Sequence, residues 1–371
     1  MTTIINGSSP SITFSDGSAQ TSATRPFLNR IINGAMVIDQ RNAGASVTPT
    51  NGQYTLDRFV ISIGGGETGK LSIQQNAGSV TPPAGFTNYL GVTSLSAYTV
   101  PTANWFSLLH EIEGLNVGDL AWGTANAKTI TLSFWVRSSL TGTFGGALNN
   151  SGNSRNYPYT YTISVANTWE YKTVTIAGDT TGTWLTTNGI GIQVGFALGA
   201  GTTESGTAGA WTATRAFSAT GATSVVGTNG ATFYITGVQL EVGSTATSFD
   251  YRSIGTELQL CQRYYYRVNS TSDYTTYGLG WNSSTSAGMA IIVHPVKMRV
   301  QPTSVDYAIL SSTLLGVTES LVSSISINSS YNGTDATGVS TVGSAVFTTG
   351  FFALTAKNNS TSSYIGFSSE L

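Results

Sequence analysis

Residues Ile130–Val136 constrain the fold most strongly, because apolar residues occupy every second position of the stretch ITLSFWV. A period of two places alternate side chains on the same face of a β-strand, whereas a helix repeats every 3.6 residues. Residues Glu170–Ile176 repeat the pattern, and clusters of Asn, Asp and Gly at 149–153 and 178–182 are typical of tight turns. These segments predict β-strands joined by turns.

The composition extends this prediction to the whole chain. Only 9% of the residues are charged, against about 25% in an average globular protein. Thr, Ser, Asn and 43 Gly take their place, while 40% of the residues remain hydrophobic, which excludes a disordered chain. We therefore predict an all-β protein. A net charge of −2 favours neither nucleic acid nor an anionic membrane surface as a partner.

The predicted strands fall into two groups separated by one helical segment. Those of the first group are Arg58–Ile63, Lys70–Gln75, Thr129–Val136, Tyr159–Val165, Glu170–Ile176, Gly191–Leu198 and Thr232–Val242. Those of the second group are Gly288–His294, Val305–Leu310, Ser324–Asn328 and Val346–Ala356. We predict an N-terminal segment at 1–26, a jelly-roll β-sandwich at 27–253, a linking helix at 254–267 and a sandwich-like β tip domain at 268–371.

The segment Ser253–Tyr266 has the spacing of a helix, with Ser253 or Thr256 as its cap. One face carries Leu258, Cys261 and Tyr265. Because a helix of about three turns is unstable alone in water, this face is expected to pack on a domain of the chain or on copies of itself.

The N-terminal residues show neither the basic segment nor the apolar core of a signal peptide. Cys261 is the only cysteine, so an intrachain disulfide is excluded. We expect synthesis in a host cytoplasm and a final place in a virion that is released by lysis. Within 1–26, the alternating stretch Ser11–Phe14 predicts a strand that pairs with another chain or domain and anchors the protein. A flexible terminus is the alternative.

Two motifs with possible catalytic meaning have simpler explanations. Residues Gly64–Lys70 match the start of a phosphate-binding loop, but Leu71 replaces the required hydroxyl residue and a strand follows. We therefore predict a hairpin loop. His110 and His294, the only histidines, have no His or Cys at metal-ligand spacing and are predicted to be structural.

Carboxylates leave two alternatives open. Glu111 and Glu113 lie two residues apart on one strand face, which is relevant to glycoside hydrolysis. A polysaccharide depolymerase is therefore kept as a less favoured alternative. Asp39 and Asp179 are weak candidates for a structural Ca²⁺ site. No other cofactor is predicted.

Aromatic residues support a binding function, since flat rings beside amides and hydroxyls suit the apolar faces of sugars. The candidate glycan-binding residues are Tyr157, Tyr159, Trp184, Trp211, Tyr274, Tyr277 and Trp281. Trp135 and Trp169 lie in or beside strand patterns and are predicted to be core residues. For each candidate taken singly, packing in a core is the alternative.

Several stretches, in order along residues 10–267, resemble phage tail-fibre proteins with a carbohydrate-binding-module-like jelly roll. They are Ile12–Thr21, Asn29–Met36, Tyr54–Phe59, Glu111–Gly114, Leu132–Ser139, Thr168–Glu170, Tyr234–Gly243, Ala246–Arg252 and Glu257–Tyr265. Beyond residue 267, Pro295–Arg299 with Gln301 and Pro302 is similar to a stretch of phage fibre tips.

The resemblance implies a jelly roll in a virion, assembled as a homotrimer. We then predict that Leu258, Cys261 and Tyr265 pack at the axis of this trimer. We predict a receptor-binding subunit that attaches the particle to host surface polysaccharide without turnover. Its segment 1–26 would bind other tail or baseplate proteins, with no membrane insertion. A purely structural virion protein, such as a head fibre or tail adaptor, is the main alternative.

Overall fold

The computed structural model describes residues 4–6, 11–13, 19–20, 28–313, 319–343, 350–357 and 360–371. Within these residues nearly all regular structure is β-strand, which confirms the all-β prediction. The described residues include a single α-helix, and it is too short to cross a membrane.

The first strands are β1 (Ile4–Asn6), β2 (Ser11–Thr13) and β3 (Ala19–Gln20). β2 pairs antiparallel with both β1 and β3. The predicted strand within Ser11–Phe14 therefore pairs with its own chain neighbours, not with another chain or domain. The remaining residues of the predicted anchor lie outside the described part of the chain.

Residues 28–253 form the predicted β-sandwich. Its strands are β4 (Tyr54–Leu56), β5 (Phe59–Ile63), β6 (Leu71–Gln75), β7 (Leu90–Ser94), β8 (Trp105–Glu113), β9 (Ile130–Ser138), β10 (Gly142–Asn149), β11 (Asn156–Ile163), β12 (Glu170–Ile176), β13 (Ile190–Ala200), β14 (Ser205–Gly206), β15 (Ser218–Ala219) and β16 (Thr232–Val242). A six-stranded sheet, β11-β10-β13-β8-β5-β4, faces a five-stranded sheet, β12-β9-β16-β7-β6, and β14 pairs with β15. Short 3₁₀ turns lie at Ala77–Ser79, Gly114–Asn116, Gly118–Leu120 and Thr202–Glu204.

The core lies between these two sheets. The period of two explains how a strand contributes to it, because alternate side chains point toward the opposite sheet. Along β9 every second side chain enters the core, and Phe134 meets Tyr161 and Phe196 of the opposite sheet at ring distances of 5.0 Å. The predicted bounds of β12 and β16 are confirmed without change. The loop at Gly64–Lys70 joins β5 to β6, which lie in different sheets, so the hairpin prediction is wrong.

The outer face of the six-stranded sheet is largely covered by the segment that follows β13. Trp105 stacks on Phe217 at a ring distance of 4.4 Å. The side-chain amide of Asn149 donates to the carbonyl of Ala216 at 2.9 Å. This sheet therefore offers little free surface at β10 and β11, and the open face of the sandwich is on the five-stranded sheet.

The helix α1 (Ile254–Gln262) begins after Ser253, whose hydroxyl accepts from the backbone N–H of Thr256. It ends four residues earlier than predicted, because Tyr265 starts a strand that pairs with the last strand of the chain. Cys261 is fully buried beside Ile32 and Ile38.

The predicted trimer face of this helix is thus occupied by its own chain. Tyr265 is 2% exposed and Leu258 packs against the same small cluster as Cys261. For Cys261 and Tyr265 the prediction of packing at a trimer axis is corrected, because side chains already buried within one chain offer no free surface to another, whereas Leu258 is only partly buried.

The C-terminal strands are β17 (Tyr265–Asn269), β18 (Thr276–Asn282), β19 (Ala287–Val293), β20 (Ser304–Ala308), β21 (Leu310–Thr313), β22 (Glu319–Asn332), β23 (Ala336–Gly343), β24 (Gly350–Ala356) and β25 (Tyr364–Ser368). Six of them close a barrel in the order β18-β19-β23-β22-β21-β24, and β17-β25-β20 form a separate sheet. A barrel replaces the predicted sandwich-like arrangement, since β18 pairs with β19 on one side and β24 on the other.

Charged side chains cluster where the last residues meet the sandwich. Glu370 forms ion pairs with Arg58 and Arg41, and Arg263 donates to Glu113 at 2.7 and 3.0 Å. Nearby, burial raises the pKa of Asp57 to about 6, against the opposing effect of Arg41. The chain has few charged residues, and several of them lie close together and buried at this junction.

Candidate functional site

The open face of the five-stranded sheet is set by the alternation in β9. Because Phe134 and Val136 point into the core, Trp135 and Arg137 point outward. Tyr171 of β12 stands directly opposite Trp135, and their rings lie 5.4 Å apart. The sequence prediction that Trp135 is a core residue is therefore wrong, although the alternation itself carried the signal for its outward position.

A β-bulge in β16 shapes the surface next to Trp135. The register between β16 and β9 shifts between Thr236 and Gln239, and Gly237 has a φ of +61°. A Cβ atom at Gly237 would lie 2.6 Å from the ring of Phe86 and 3.2 Å from that of Trp135. Glycine at this position lets both rings approach the backbone of β16 closely.

The row of rings continues from Phe86 onto a second loop. Phe86 lies 5.1 Å from Phe249 and 5.6 Å from Tyr251, and the last two are 4.8 Å apart. Two of these rings are clearly accessible, with Tyr171 43% and Tyr251 58% exposed. We call the set Tyr171, Trp135, Phe86, Phe249 and Tyr251 the aromatic strip.

One end of the aromatic strip opens into a cavity of about 210 Å³. Its lining includes Phe86, Phe249 and Tyr251, together with Asn29, Asp250 and Glu257. Asp250 accepts from the backbone N–H of Asn29 at 3.1 Å. Glu257 accepts from the backbone N–H of Asn33 and from Arg252. The cavity thus joins apolar ring faces to oriented polar groups.

Hydroxyl groups border the strip on its sheet side. Thr173 and Thr175 follow Tyr171 on the exposed face of β12, and Thr87 is exposed next to Phe86. None of these three side chains carries charge. A ligand on this face would therefore meet aromatic rings, neutral hydroxyl groups and the guanidinium of Arg137.

A second aromatic group is centred on Tyr89. Tyr89 packs against Tyr234 at 5.2 Å and Trp169 at 5.5 Å. Tyr89 is fully buried, and its hydroxyl donates to the carbonyl of Ala77 at 2.5 Å. Trp169 packs against this small cluster, in line with its predicted structural role.

Of the predicted glycan-binding residues, Tyr157 and Tyr159 lie in the sandwich core, and Trp184 and Trp211 pack against it while partly buried. Trp184 and Trp211 are 5.3 Å apart, Trp122 contacts both, and Tyr157 lies 5.1 Å from Trp211. The indole N–H of Trp211 donates to the carbonyl of Ala177 at 2.8 Å. Tyr159 is 1% exposed, and burial raises its pKa well above the usual value. Their contacts are those of packing, which was the alternative for each.

The other three candidates lie in or near the barrel and do not converge. Tyr277 is buried in the barrel core. Tyr274 is exposed in the turn before β18, with a φ of +58°. Trp281 lies on the outer surface of the barrel, in an apolar groove with Leu279 and Phe351. The structure does not bring these aromatic residues together into one site.

The proposed calcium ligands already have protein partners. Asp39 accepts from the backbone N–H groups of Asn42 and Gly44 at 2.9 and 2.7 Å. Asp179 forms two short bonds with Arg155, which hold the pKa of this carboxyl below its usual value against the effect of burial. Within the described residues, no group of three or more acidic, His or Cys side chains is placed to hold a metal ion.

The predicted acid pair is tied into the junction with the C-terminal residues. Glu113 is bound by Arg263 and by the hydroxyl of Tyr264 at 2.7 Å. Glu111 accepts from Tyr54 at 2.9 Å and Gln193 at 2.8 Å. Both carboxyl groups are buried, so neither faces an open cleft.

Both histidines are packed, as predicted. His110 is fully buried against Phe59, and burial lowers its pKa well below the usual value. His294 lies in contact with Phe367 and bonds through its ring to Thr334 and Thr337.

Comparison with known proteins gives similarity of structure only. No protein family matches the chain, and no curated protein sequence matches it. Part of the chain, 59%, is similar to the enzymatically active domain of tailspike protein 4 of bacteriophage CBA120, with 11% identity and a TM-score of 0.31. The match spans only 22% of that tailspike chain.

Two carbohydrate-binding modules show a comparable similarity. The family 11 module of a cellulosomal cellulase from Clostridium thermocellum matches over 55% of this chain and 99% of its own, with 15% identity and a TM-score of 0.26. TmCBM61, solved with β-1,4-galactotriose, matches over 52% of this chain and 92% of its own, with 10% identity and a TM-score of 0.26. At such low scores these similarities carry no conclusion about function, which is argued below from the residues.

Proposed function

We propose that this chain is a carbohydrate-binding protein that holds a neutral glycan along the aromatic strip without turnover. The observation that carries the proposal is a pair of ring groups on either side of Gly237, Tyr171 with Trp135 and Phe86 with Tyr251. It lies on the open face of the sandwich and ends in a cavity with polar side chains.

The chemistry of the strip suits sugars better than other ligands. Sugar rings have apolar faces that stack on aromatic rings, and their hydroxyl groups need uncharged hydrogen-bonding partners. Thr87 follows Phe86 in the chain and Thr173 is the next exposed residue of β12 after Tyr171, so both present uncharged hydroxyl groups near the rings. The cavity of about 210 Å³ is smaller than the ~300–1,000 Å³ of typical ligand pockets, which suits one sugar ring at the end of a chain.

Binding is favoured over hydrolysis by the state of the nearby carboxylates. Asp250 and Glu257 line the cavity, but each already accepts bonds from the protein, Asp250 from Asn29 and Glu257 from Arg252. Glycoside hydrolysis needs one protonated acid and one carboxylate facing the scissile bond from opposite sides. We therefore propose a binding role that needs neither a metal ion nor a cofactor.

The finer assignment rests on the sequence resemblance described above. We propose a receptor-binding subunit of a phage tail fibre, located in the virion, assembled as a homotrimer and attached through residues 1–26 to other tail or baseplate proteins. Attachment through many weak sites would gain strength from the number of copies on one particle. A purely structural virion protein with the same fold is the alternative.

The test measures binding of the purified full chain to neutral polysaccharides by affinity electrophoresis and to host cells by sedimentation. Trp135→Ala and Tyr171→Ala should each weaken binding about tenfold or more, equivalent to about 1.4 kcal/mol. Tyr331→Ala is the matched control, since Tyr331 is an exposed tyrosine of the barrel, outside the strip.

Three outcomes separate the alternatives. Saturable binding that depends on Trp135 and Tyr171 supports the proposal. Shortening of the polysaccharide chains would replace it with the depolymerase alternative, and absence of binding to both polysaccharide and cells would favour a structural protein. Equal binding by wild type and both variants would show that the aromatic strip is not the site.

A further inference from the structure

The outer surface of the C-terminal barrel carries large apolar side chains that face solvent. Leu279, Val293 and Phe351 are 68%, 70% and 81% exposed. Trp281 and Ile291, on the same strands, are also exposed. We call these five residues the barrel face. Isolated exposed apolar residues are normal on a protein surface, whereas the largest contiguous apolar patch of a protein is often functional.

The strand register shows that the barrel face is contiguous. Leu279 of β18 stands directly opposite Ile291 of β19, and Trp281 stands directly opposite Phe351 of β24. Val293 lies two residues beyond Ile291 and points to the same side. A groove of about 400 Å³ runs between Leu279, Trp281 and Phe351.

No charged residue lies in the three strands that form this surface. The segments 276–293 and 350–356 contain no Asp, Glu, Lys, Arg or His. When the exposed fractions are applied to side chains of about 150–250 Å² each, the barrel face presents on the order of 600 Å² of apolar surface. This reaches the upper end of the ~300–600 Å² patch of a typical monomer and approaches the ~800 Å² per partner of a stable interface.

The chemistry of the barrel face decides what kind of partner it fits. A glycan requires hydrogen-bonding groups, and the indole N–H of Trp281 is the one polar side-chain group among the five residues. An anionic membrane surface would be favoured by basic residues, which these strands lack. β18, β19 and β24 each pair on both sides within the closed barrel, so an added strand has no free edge to pair with there.

We propose that the barrel face is the self-association surface of the proposed homotrimer, buried against the barrel faces of the other copies of this chain. Around a symmetry axis equivalent patches come together, so any charge in the patch would approach the same charge of the other copies. A face without charge avoids that repulsion while it removes apolar surface from water. This inference replaces the helix with the barrel as the contact between copies, and it does not depend on glycan binding.

The test is the mass of the full chain in solution, measured by sedimentation velocity between about 1 and 100 µM. We expect the wild type to form oligomers and the double variant Leu279→Lys/Phe351→Lys to sediment as a monomer. Both side chains point away from the barrel core, so thermal unfolding of the variant should stay close to that of the wild type. Val165→Lys is the matched control, because Val165 is 55% exposed in a turn of the sandwich.

A second measurement covers the case in which the lysine variant fails to fold. Val293→Cys should form a disulfide between two copies under mild oxidation, whereas Val165→Cys should not. The native Cys261 is fully buried and gives a low background. A monomeric wild type throughout the concentration range, or an oligomer unchanged by the double lysine substitution, would overturn the proposal. Glycan binding by a monomeric wild type would leave the proposed glycan binding intact but would overturn the proposed homotrimer.

Discussion

Arg58, at a turn between two strands of the sandwich, forms an ion pair with Glu370, more than 300 positions later in the chain. The guanidinium of Arg58 also lies over the ring of Tyr264 at 3.6 Å and donates to the carbonyl of Glu111. Arg58 is 1% exposed. The ion pair between Glu370 and the buried guanidinium of Arg58 therefore attaches the last residues of the chain to the sandwich.

Removal of one partner of this pair should strongly destabilise the protein. Glu370→Gln leaves the guanidinium groups of Arg58 and Arg41 without their shared carboxylate, and breaking a buried pair typically costs about 3–5 kcal/mol. Chemical denaturation should show this loss, and Arg58→Met in the same chain should recover part of it. Asp119→Asn is the control, because Asp119 is half exposed and its pair with Arg30 should contribute about 1 kcal/mol or less. Equal effects of Glu370→Gln and Asp119→Asn would contradict the prediction.

The stability contributed by Asp57 should fall as the pH rises. Its pKa is about 6 in the folded protein and 3.8 as an unperturbed group, so between these values the folded state keeps a proton that the unfolded state has released. The difference corresponds to up to about 3 kcal/mol, present near pH 4 and lost above pH 6. Asp57→Asn does not titrate, so the difference in unfolding free energy between wild type and variant should change over this range. A difference that is constant from pH 4 to 7 would exclude this role.

Gly237→Ala should weaken both stability and glycan binding. An alanine at a φ of +61° is strained by about 1 kcal/mol, and its Cβ would push the Phe86 ring away from Trp135. Gly230→Ala has similar backbone strain, with a φ of +73°, but its Cβ would meet no atom within 4 Å. Thermal unfolding and polysaccharide affinity measured on both variants should show lost affinity only for Gly237→Ala.

Trp211→Ala should lower stability without changing glycan affinity. Trp211 packs against Trp122, Trp184 and Tyr157, and loss of a large aromatic side chain from such packing costs about 3 kcal/mol or more. The affinity of the folded variant, measured well below its melting temperature, should match that of the wild type. Lost glycan affinity with unchanged stability would instead show that Trp211 is a binding residue.

Cys261 should be unreactive in the folded protein. Burial raises the pKa of its thiol well above the usual value, so little thiolate is present at neutral pH. A thiol reagent should label the chain rapidly in denaturant and very slowly without it. Rapid labelling of the native protein would show that the helix α1 does not hold Cys261 against Ile32 and Ile38.

Alternation predicted the strands where one face of the sheet is buried and the other is not. The strand β12, in which exposed residues alternate with more buried ones, begins and ends where the pattern places it. It failed at β8 (Trp105–Glu113), since eight of its nine residues are buried and the two faces do not differ. The segment after β13 covers the outer face of β8 at Trp105. Because that segment is distant in the sequence, the residue pattern of β8 alone cannot indicate that this face is buried.

The aromatic strip was also predictable from the sequence only in part. The outward position of Trp135 follows from the sequence, because it alternates with Phe134 and Val136. Phe86 and Tyr251 lie far from it along the chain, and only the bulge at Gly237 and the packing of two loops bring them together. The predicted binding residues Trp184 and Trp211 looked equally suitable, since a tryptophan near a turn has the same local pattern whether it is packed or exposed.

The sequence by itself determined that this chain is an all-β protein with a charge-poor surface and a sandwich that precedes a short helix. Backbone period and composition are local properties, and they suffice for that conclusion. Only the tertiary structure decided that the second group of strands closes a barrel, that Glu370 reaches Arg58, and which aromatic residues share a surface. These features depend on contacts between residues far apart in the chain, which are settled by the packing of whole sheets.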